Sequence, residues 1–185
     1  DGCGRFAGRV IRNVNAAAPT PQWMKDRRER AGQRSISALV DVTNYVMLEC
    51  GQPLHAFDLA LLQESRLVVR RARAGERMQT LDNVDRELAG STLVIADAAR
   101  PVAVAGVMGG AGSEIRATTT TVLLESACFE PSGVRATARA LGLTTESSYR
   151  FERGVDPMTV EAASRRAAAL MAEFAGAEMD DGLAD

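Results

Sequence analysis

Alternation opens the chain. Phe6, Gly8 and Val10 recur at every second position between residues 5 and 14, the period of a half-buried strand. A polar stretch with Pro19 and Pro21 then reads as a loop, and the heavily charged residues 23–31 read as a short surface helix closed by Gly32. Ile36, Leu39, Val40, Val46 and Met47 fall at helical spacing, so a helix capped by Ser35 or Ser37 runs to about Cys50, where Gly51 and Pro53 stop it. The middle of the chain reads as sheet. Residues 67–69 open a strand, 78–81 and 86–88 flank a turn at Asp82-Asn83, and 92–96, 102–107 and 122–127 are continuous apolar runs that suit buried strands. The last third is helical: residues 131–141 end at Gly142, and Asp156-Pro157 supplies a cap and first-turn proline for an Ala-rich helix ending near Gly176. The pattern predicts a mixed α+β fold, with a strand-rich core of packed sheets and helices flanking it.

Composition sets limits on this picture. Of 185 residues 46% are hydrophobic and 25% charged, a globular balance that indicates neither disorder nor a fibrous repeat. One domain over residues 1–185 is the expectation at this length, burying roughly 70% of the unfolded surface. With 22 Lys+Arg against 24 Asp+Glu the net charge is −2, so any nucleic-acid contact must be local rather than carried by a global basic field. No apolar run approaches the roughly 20 residues that span a bilayer, which predicts no membrane association. Cys3, Cys50 and Cys128 stand far apart without a CxxC pair, and His55 is the one histidine, which together argue against a disulfide framework or a metal centre. Reduced-looking cysteines and the lack of a secretory signal point to the cytoplasm, and a start at Asp1 rather than methionine points to a piece of something longer.

Four features could carry chemistry. Thr43 and Asn44 sit mid-helix, where both compete for backbone hydrogen bonds, and a Pro-fixed turn could swing His55 back toward them. The bland role for His55 is a cap or a core histidine bonded to a carbonyl. Residues 103–110, Ala-Val-Ala-Gly-Val-Met-Gly-Gly, fit neither phosphate-binding glycine pattern; they suit a tight turn after a core strand, or close approach of a ligand or another backbone to the main chain. Glu125 lies inside an apolar run, facing solvent at a sheet edge or else a pocket, where it would need a donor or a raised pKa. Finally, residues 144–154 mix hydroxyls, aromatics and alternating charge, which reads as a loop plus a salt-bridged surface segment. The Arg27-Arg28-Arg30 and Arg70-Arg71-Arg73 clusters could meet phosphates, but short arginine runs read first as solvated faces.

In combination the motifs are far more specific. Asp41-Val42-Thr43-Asn44-Tyr45-Val46-Met47, Gly51-Gln52-Pro53-Leu54-His55-Ala56-Phe57-Asp58, Ala105-Gly106-Val107-Met108-Gly109-Gly110, Leu123-Leu124-Glu125-Ser126-Ala127 and Arg150-Phe151-Glu152-Arg153-Gly154-Val155-Asp156-Pro157 follow in this order. From about Cys3 to Gly176 the chain resembles the B3/B4 domain of the bacterial phenylalanyl-tRNA synthetase β subunit. That resemblance implies an editing module, which hydrolyses the ester of tyrosine wrongly attached to phenylalanine tRNA. It implies that Thr43, Asn44 and His55 lie beside the scissile ester, with His55 either a general base or a holder of water. By the same resemblance Glu125 partners the tyrosine phenol, Ala105 and Gly106 form a wall where a side chain would fill the ring's space, and Thr145 and Ser147 line the pocket. The Arg-Phe-Glu-Arg-Gly stretch reads as structural. Where the family commonly has Thr-Asp-Ala-Ser, this chain has Thr145-Glu146-Ser147-Ser148, which adds a hydroxyl near the substrate.

The physical reason for such a site is asymmetric discrimination. A hydrophobic pocket rejects an analogue with one added hydroxyl by only about 10²-fold, whereas a site built to bond that hydroxyl discriminates by on the order of 10⁴-fold. The resemblance further implies the tRNA(Phe) 3′ end and a synthetase α subunit in an α2β2 assembly as partners. It implies no cofactor in this domain, with ATP and Mg²⁺ serving the full synthetase. The alternative reading is a non-catalytic scaffold, tRNA-docking or subunit-contact module of the same enzyme.

Overall fold

The computed structural model describes residues 2–185, with the backbone alone at residues 180 and 181. Strand β1 (Cys3–Arg12), helices α1 (Gln22–Arg30) and α2 (Ala38–Cys50) and strand β2 (Leu54–Asp58) come first. Six short strands follow: β3 (Val68–Arg71), β4 (Arg77–Gln79), β5 (Asp85–Glu87), β6 (Leu93–Ala96), β7 (Pro101–Val104) and β8 (Met108–Gly109). The chain closes with β9 (Val122–Phe129), α3 (Pro131–Leu141), α4 (Glu146–Phe151), α5 (Thr159–Ala175) and β10 (Glu178–Ala184). The expected mixed α+β class holds, and no helix among the described residues is long and apolar enough to cross a membrane.

Two antiparallel sheets and a helical layer stack on one another. The first sheet has the order β10-β1-β9-β2, the second β3-β6-β7-β8, and β4 and β5 form a separate hairpin. Strand β9 lies between β1 and β2, and both of its faces are covered, which is why its sequence is a continuous apolar run rather than an alternation. On one face, Ile11, Ala56, Val122 and Leu124 pack against Leu39, Val42 and Val46 of α2 and Ala163, Ala167 and Met171 of α5. The small alanines of α5 let the helix lie close to the sheet. On the other face, Phe57, Ala127 and Phe129 meet Ile95 and Val104 of the second sheet, Val134 of α3 and Phe151 of α4. Each fully buried Leu, Ile or Phe contributes about 1.5–3 kcal/mol.

Several boundaries differ from the sequence reading. The more buried face of β1 is Ala7, Arg9 and Ile11, not Phe6, Gly8 and Val10, because the helical layer covers it completely. Helix α5 starts at Thr159, and Asp156-Pro157 forms the turn before it: the Asp156 carboxylate accepts from Met158 N at 2.8 Å and its carbonyl from Thr159 N at 3.0 Å. Residues 146–151 are a helix rather than a loop, and β10 adds a strand after the last helix.

The largest departure concerns Arg28, which belongs to no solvated face: it is 1% exposed and ion-paired with the wholly buried Asp41 of α2. The Asp41 carboxylate also accepts from Thr20 Oγ1 at 2.6 Å, from the Ser35 hydroxyl, and from Ile36 N at 2.9 Å. Ser35 is therefore spent on Asp41, while Ser37 occupies the N-cap position of α2 without a side-chain bond. This network ties α1 and the connecting segment to α2. Removing one member of a buried pair leaves an uncompensated charge, at a cost of about 3–5 kcal/mol, whereas an exposed pair contributes about 0–1 kcal/mol. In urea denaturation, Asp41→Ala should therefore lose about 3–5 kcal/mol, and Asp82→Ala, which removes the solvent-screened surface partner of Arg86, far less; equal losses would refute the assignment.

Candidate functional site

Register brings the central pair together. In the antiparallel ladder His55 of β2 stands directly opposite Glu125 of β9, and Glu125 stands opposite Gly8 of β1. Directly opposed residues share a face, here the one turned toward the second sheet. His55 thus reaches the site as a strand residue, not through a turn that folds back on the helix.

Between the sheets lies an inner chamber with about 50 Å³ of water-accessible space, walled by Ile95, Val104 and Phe151 and carrying Glu125 and His55. A wider outer chamber of about 400 Å³ adjoins it, lined by Val40, Thr43, Asn44, Met47 and Thr145 among others. Leu54, His55, Val107, Met108, Gly109 and Ser147 line both, and so form the collar between them.

Glu125 is 6% exposed, and its Oε2 is buried without a protein partner. Burial pushes its carboxyl up from 4.5 to about 8, so at neutral pH it carries its proton and can both donate and accept. His55 is half-buried as a whole, yet its Nε2 is sealed from solvent and unpartnered. Burial pushes the imidazole down to about 4, so it is neutral at pH 7. Its ring sits edge-on to Phe57, with centroids 4.5 Å apart.

The remaining predicted residues divide by how their polar atoms are committed. The Thr43 hydroxyl donates to Val40 O at 2.8 Å, leaving its oxygen as an acceptor toward the outer chamber. Asn44 makes no side-chain hydrogen bond among the described residues and lines the outer chamber. The Thr145 hydroxyl donates to Val107 O at 2.8 Å and accepts from Ser148 N at 3.0 Å, the latter half of a capping box that pins α4 beside the β7–β8 turn. Ser147 follows on the first turn of α4 and faces both chambers.

Ala105 is 2% exposed and packs in the core, not on the cavity wall. Gly106 does border the inner chamber, but a Cβ there would meet Val134, Phe129 and Phe151 at 3.0–3.2 Å, so a side chain would drive into the core. Its φ of +71° closes a turn in which Val107 N donates to Val104 O at 3.0 Å.

Gly109 was not singled out as a site residue, yet a Cβ on it would lie 2.5 Å from His55 Cε1 and 2.8 Å from Nε2. The glycine pair does permit a close approach, and what approaches is the imidazole. The signal in the sequence was Gly109-Gly110 at the end of a small-residue strand; the partner could not be read from it.

A sequence profile of the B3/4 domain matches residues 2–176. The chain belongs to this family. The phenylalanine–tRNA ligase beta subunit of Syntrophus aciditrophicus is 51% identical over the whole chain, and that of Anaeromyxobacter dehalogenans 55% identical over 99% of it. The chain spans 23% of the length of each of these relatives. An N-terminal fragment of the phenylalanyl-tRNA synthetase beta subunit from Pyrococcus horikoshii superposes with a TM-score of 0.50 at 9% identity, covering 78% of this chain and 45% of the fragment. That likeness concerns the fold alone.

Because the chain has one histidine, its imidazole can be titrated by NMR without assignment. The signal should stay neutral down to about pH 4. In Gly109→Ala the displaced ring should titrate closer to the ordinary 6.5; a wild-type midpoint near 6.5 would contradict the sealed geometry. Glu125 gives a second handle. The unfolded chain releases this proton near 4.5 and the folded chain near 8, so between those values folding takes up a proton and stability falls as pH rises. The Glu125→Gln variant, measured against wild type by urea denaturation, should gain relative stability from pH 5 to pH 8 by at least about 1.4 kcal/mol, the equivalent of one pKa unit. A pH-independent difference would contradict it.

Proposed function

We propose that this chain is the editing domain of a phenylalanine–tRNA ligase beta subunit and that it hydrolyses tyrosine esterified to the 3′ end of tRNA(Phe). The observation that carries this reading is the opposed pair Glu125 and His55, each with a buried unpartnered polar atom at one small chamber. A tyrosine ring entering the inner chamber brings a phenol to Glu125, and the protonated carboxyl can accept from it or donate to it. A phenylalanine ring brings nothing, and leaves a buried polar group unpaired at a cost of about 1–3 kcal/mol.

With the ring held inside, the ester lies at the collar and in the outer chamber, near His55, Thr43 and Asn44. Water attacks the ester carbonyl, the bond to the ribose oxygen breaks, and that oxygen takes the proton the water loses; the products are tyrosine and free tRNA. An imidazole with a pKa of about 4 is a weak base at neutral pH, since a general base works best near the operating pH. His55 is therefore assigned to orienting the water, with Thr43 and Asn44 aligning substrate and water. Acylated RNA and water suffice for this step; ATP and Mg²⁺ belong to the charging reaction of the whole synthetase, whose partner α subunit and cytoplasmic setting are part of the same reading.

The test is made in the full-length subunit assembled as a synthetase. Glu125→Ala should slow deacylation of tyrosyl-tRNA(Phe) by roughly 10–100-fold, the equivalent of about 1–3 kcal/mol, while phenylalanine charging stays at wild-type rate. Unchanged deacylation, or equal loss of both activities, would instead support a scaffold or docking module.

A further inference from the structure

The outer chamber continues into a second cleft, of about 490 Å³, through three residues common to both: Ile36, Asn44 and Glu146. That size falls within the range of about 300–1,000 Å³ usual for small-ligand sites. The cleft's own wall is the segment Gln33–Ile36, and three features of this segment have no role in the ester chemistry. Ile36 is 71% exposed, a large apolar side chain offered to solvent at the mouth of the site. The Gln33 Oε1 is buried without a partner. Arg34 is exposed, and its guanidinium has no partner among the described residues.

The segment is held in place, so its exposed groups are pre-set. Gln33 N donates to Arg28 O at 2.9 Å, the Arg28 guanidinium donates to Arg34 O at 2.9 Å, and Ser35 Oγ and Ile36 N both bind the Asp41 carboxylate. Rigid presentation lowers the ordering cost of binding. The one acidic group on the cleft wall, Glu146, is already paired with Arg150 at 2.6 Å, which limits its repulsion of an anion.

We propose that this cleft is the subsite for the terminal nucleotide of the acylated RNA, with Ile36 against the ribose and base and Arg34 paired with the phosphate on its 5′ side. The proposal rests on the reading of the inner chamber as the tyrosine site. It follows from connectivity: the ester oxygen belongs to the ribose, so the nucleoside must lie next to the ester, and Asn44 lines both spaces. Single-stranded RNA ends are recognised in this way, through side-chain platforms and local phosphate contacts. A local contact of this kind also suits a chain whose net charge is −2.

Two substrates separate the parts in the full-length subunit: tyrosyl-tRNA(Phe) and 2′(3′)-O-tyrosyladenosine, which has no 5′ phosphate. Ile36→Asp should raise KM about tenfold for both. Arg34→Ala should raise KM about tenfold for the tRNA and not for the nucleoside ester, and raising the salt concentration should erase that difference, as expected of a phosphate contact. Both positions are exposed, so thermal unfolding should match wild type. If neither variant changes KM for the tRNA while Glu125→Ala still suppresses hydrolysis, the subsite is refuted and the hydrolytic reading stands. If Glu125→Ala also has no effect, both fall.

Discussion

Strand β9 has no face turned to water. One side carries the helical layer of α2 and α5, the other carries the second sheet, and the strand is flanked by β1 and β2. A carboxylate on such a strand cannot be solvated, and ionising it in low dielectric would cost far more than holding a proton. From that constraint follow the neutral Glu125, the chamber between the sheets and the register that sets His55 opposite it. The apolar walls that raise one group's pKa lower the other's. The site is therefore a pair of uncharged hydrogen-bonding groups from about pH 4 to about pH 8.

Much of this was legible residue by residue, and the rest failed for identifiable reasons. Helix α2 ends at Gly51 with φ +75°, and α3 spans Pro131–Leu141, because local propensity, capping and burial agree there. The hairpin at Asp82-Asn83 was equally local, with Asn83 at φ +62°. Strand β2 could not be read from Leu-His-Ala-Phe-Asp, since its extended state is imposed by pairing with β9 far along the chain. The inward face of β1 was misjudged because both its faces are covered to different degrees. Arg28 was misplaced because its partner Asp41 lies 13 residues away on another helix. Thr145 and Ser148 carried a capping box within a stretch of surface charge that masked a short helix. Of the site, the motif residues were legible as types, but the separation into chambers and the collar at Gly109 depended on how the sheets stack.

The Arg28–Asp41 network shows how stability and site are divided between different parts of the fold. A buried ion pair is weak evidence of net stabilisation, since desolvation offsets much of its Coulombic gain. Here its hydrogen bonds go to Thr20, Ser35, Ile36 and the Arg34 carbonyl, so most of what it fixes is the connecting segment rather than the sheet core. The outer chamber shares Ile36 with that segment and Val40 with α2. A network that adds little to global stability thus fixes part of the wall of the outer chamber.

In the proposed editing reaction, selectivity for a hydroxyl at Glu125 depends on what its neutral state prevents. An ionised carboxylate would accept from a phenol more strongly, but it would require a counter-charge or water in the chamber, and either would also serve when the wrong ring entered. The walls Ile95, Val104 and Phe151 supply neither. A protonated carboxyl, by contrast, has one donor and one acceptor to satisfy, and a phenol supplies the complement of both from a single atom. A phenyl ring of nearly the same shape would leave those groups without a partner. On this proposal the discrimination comes from the unpaired state of Glu125 with the wrong ligand, and it is strongest because the strand that carries the residue is closed on both sides.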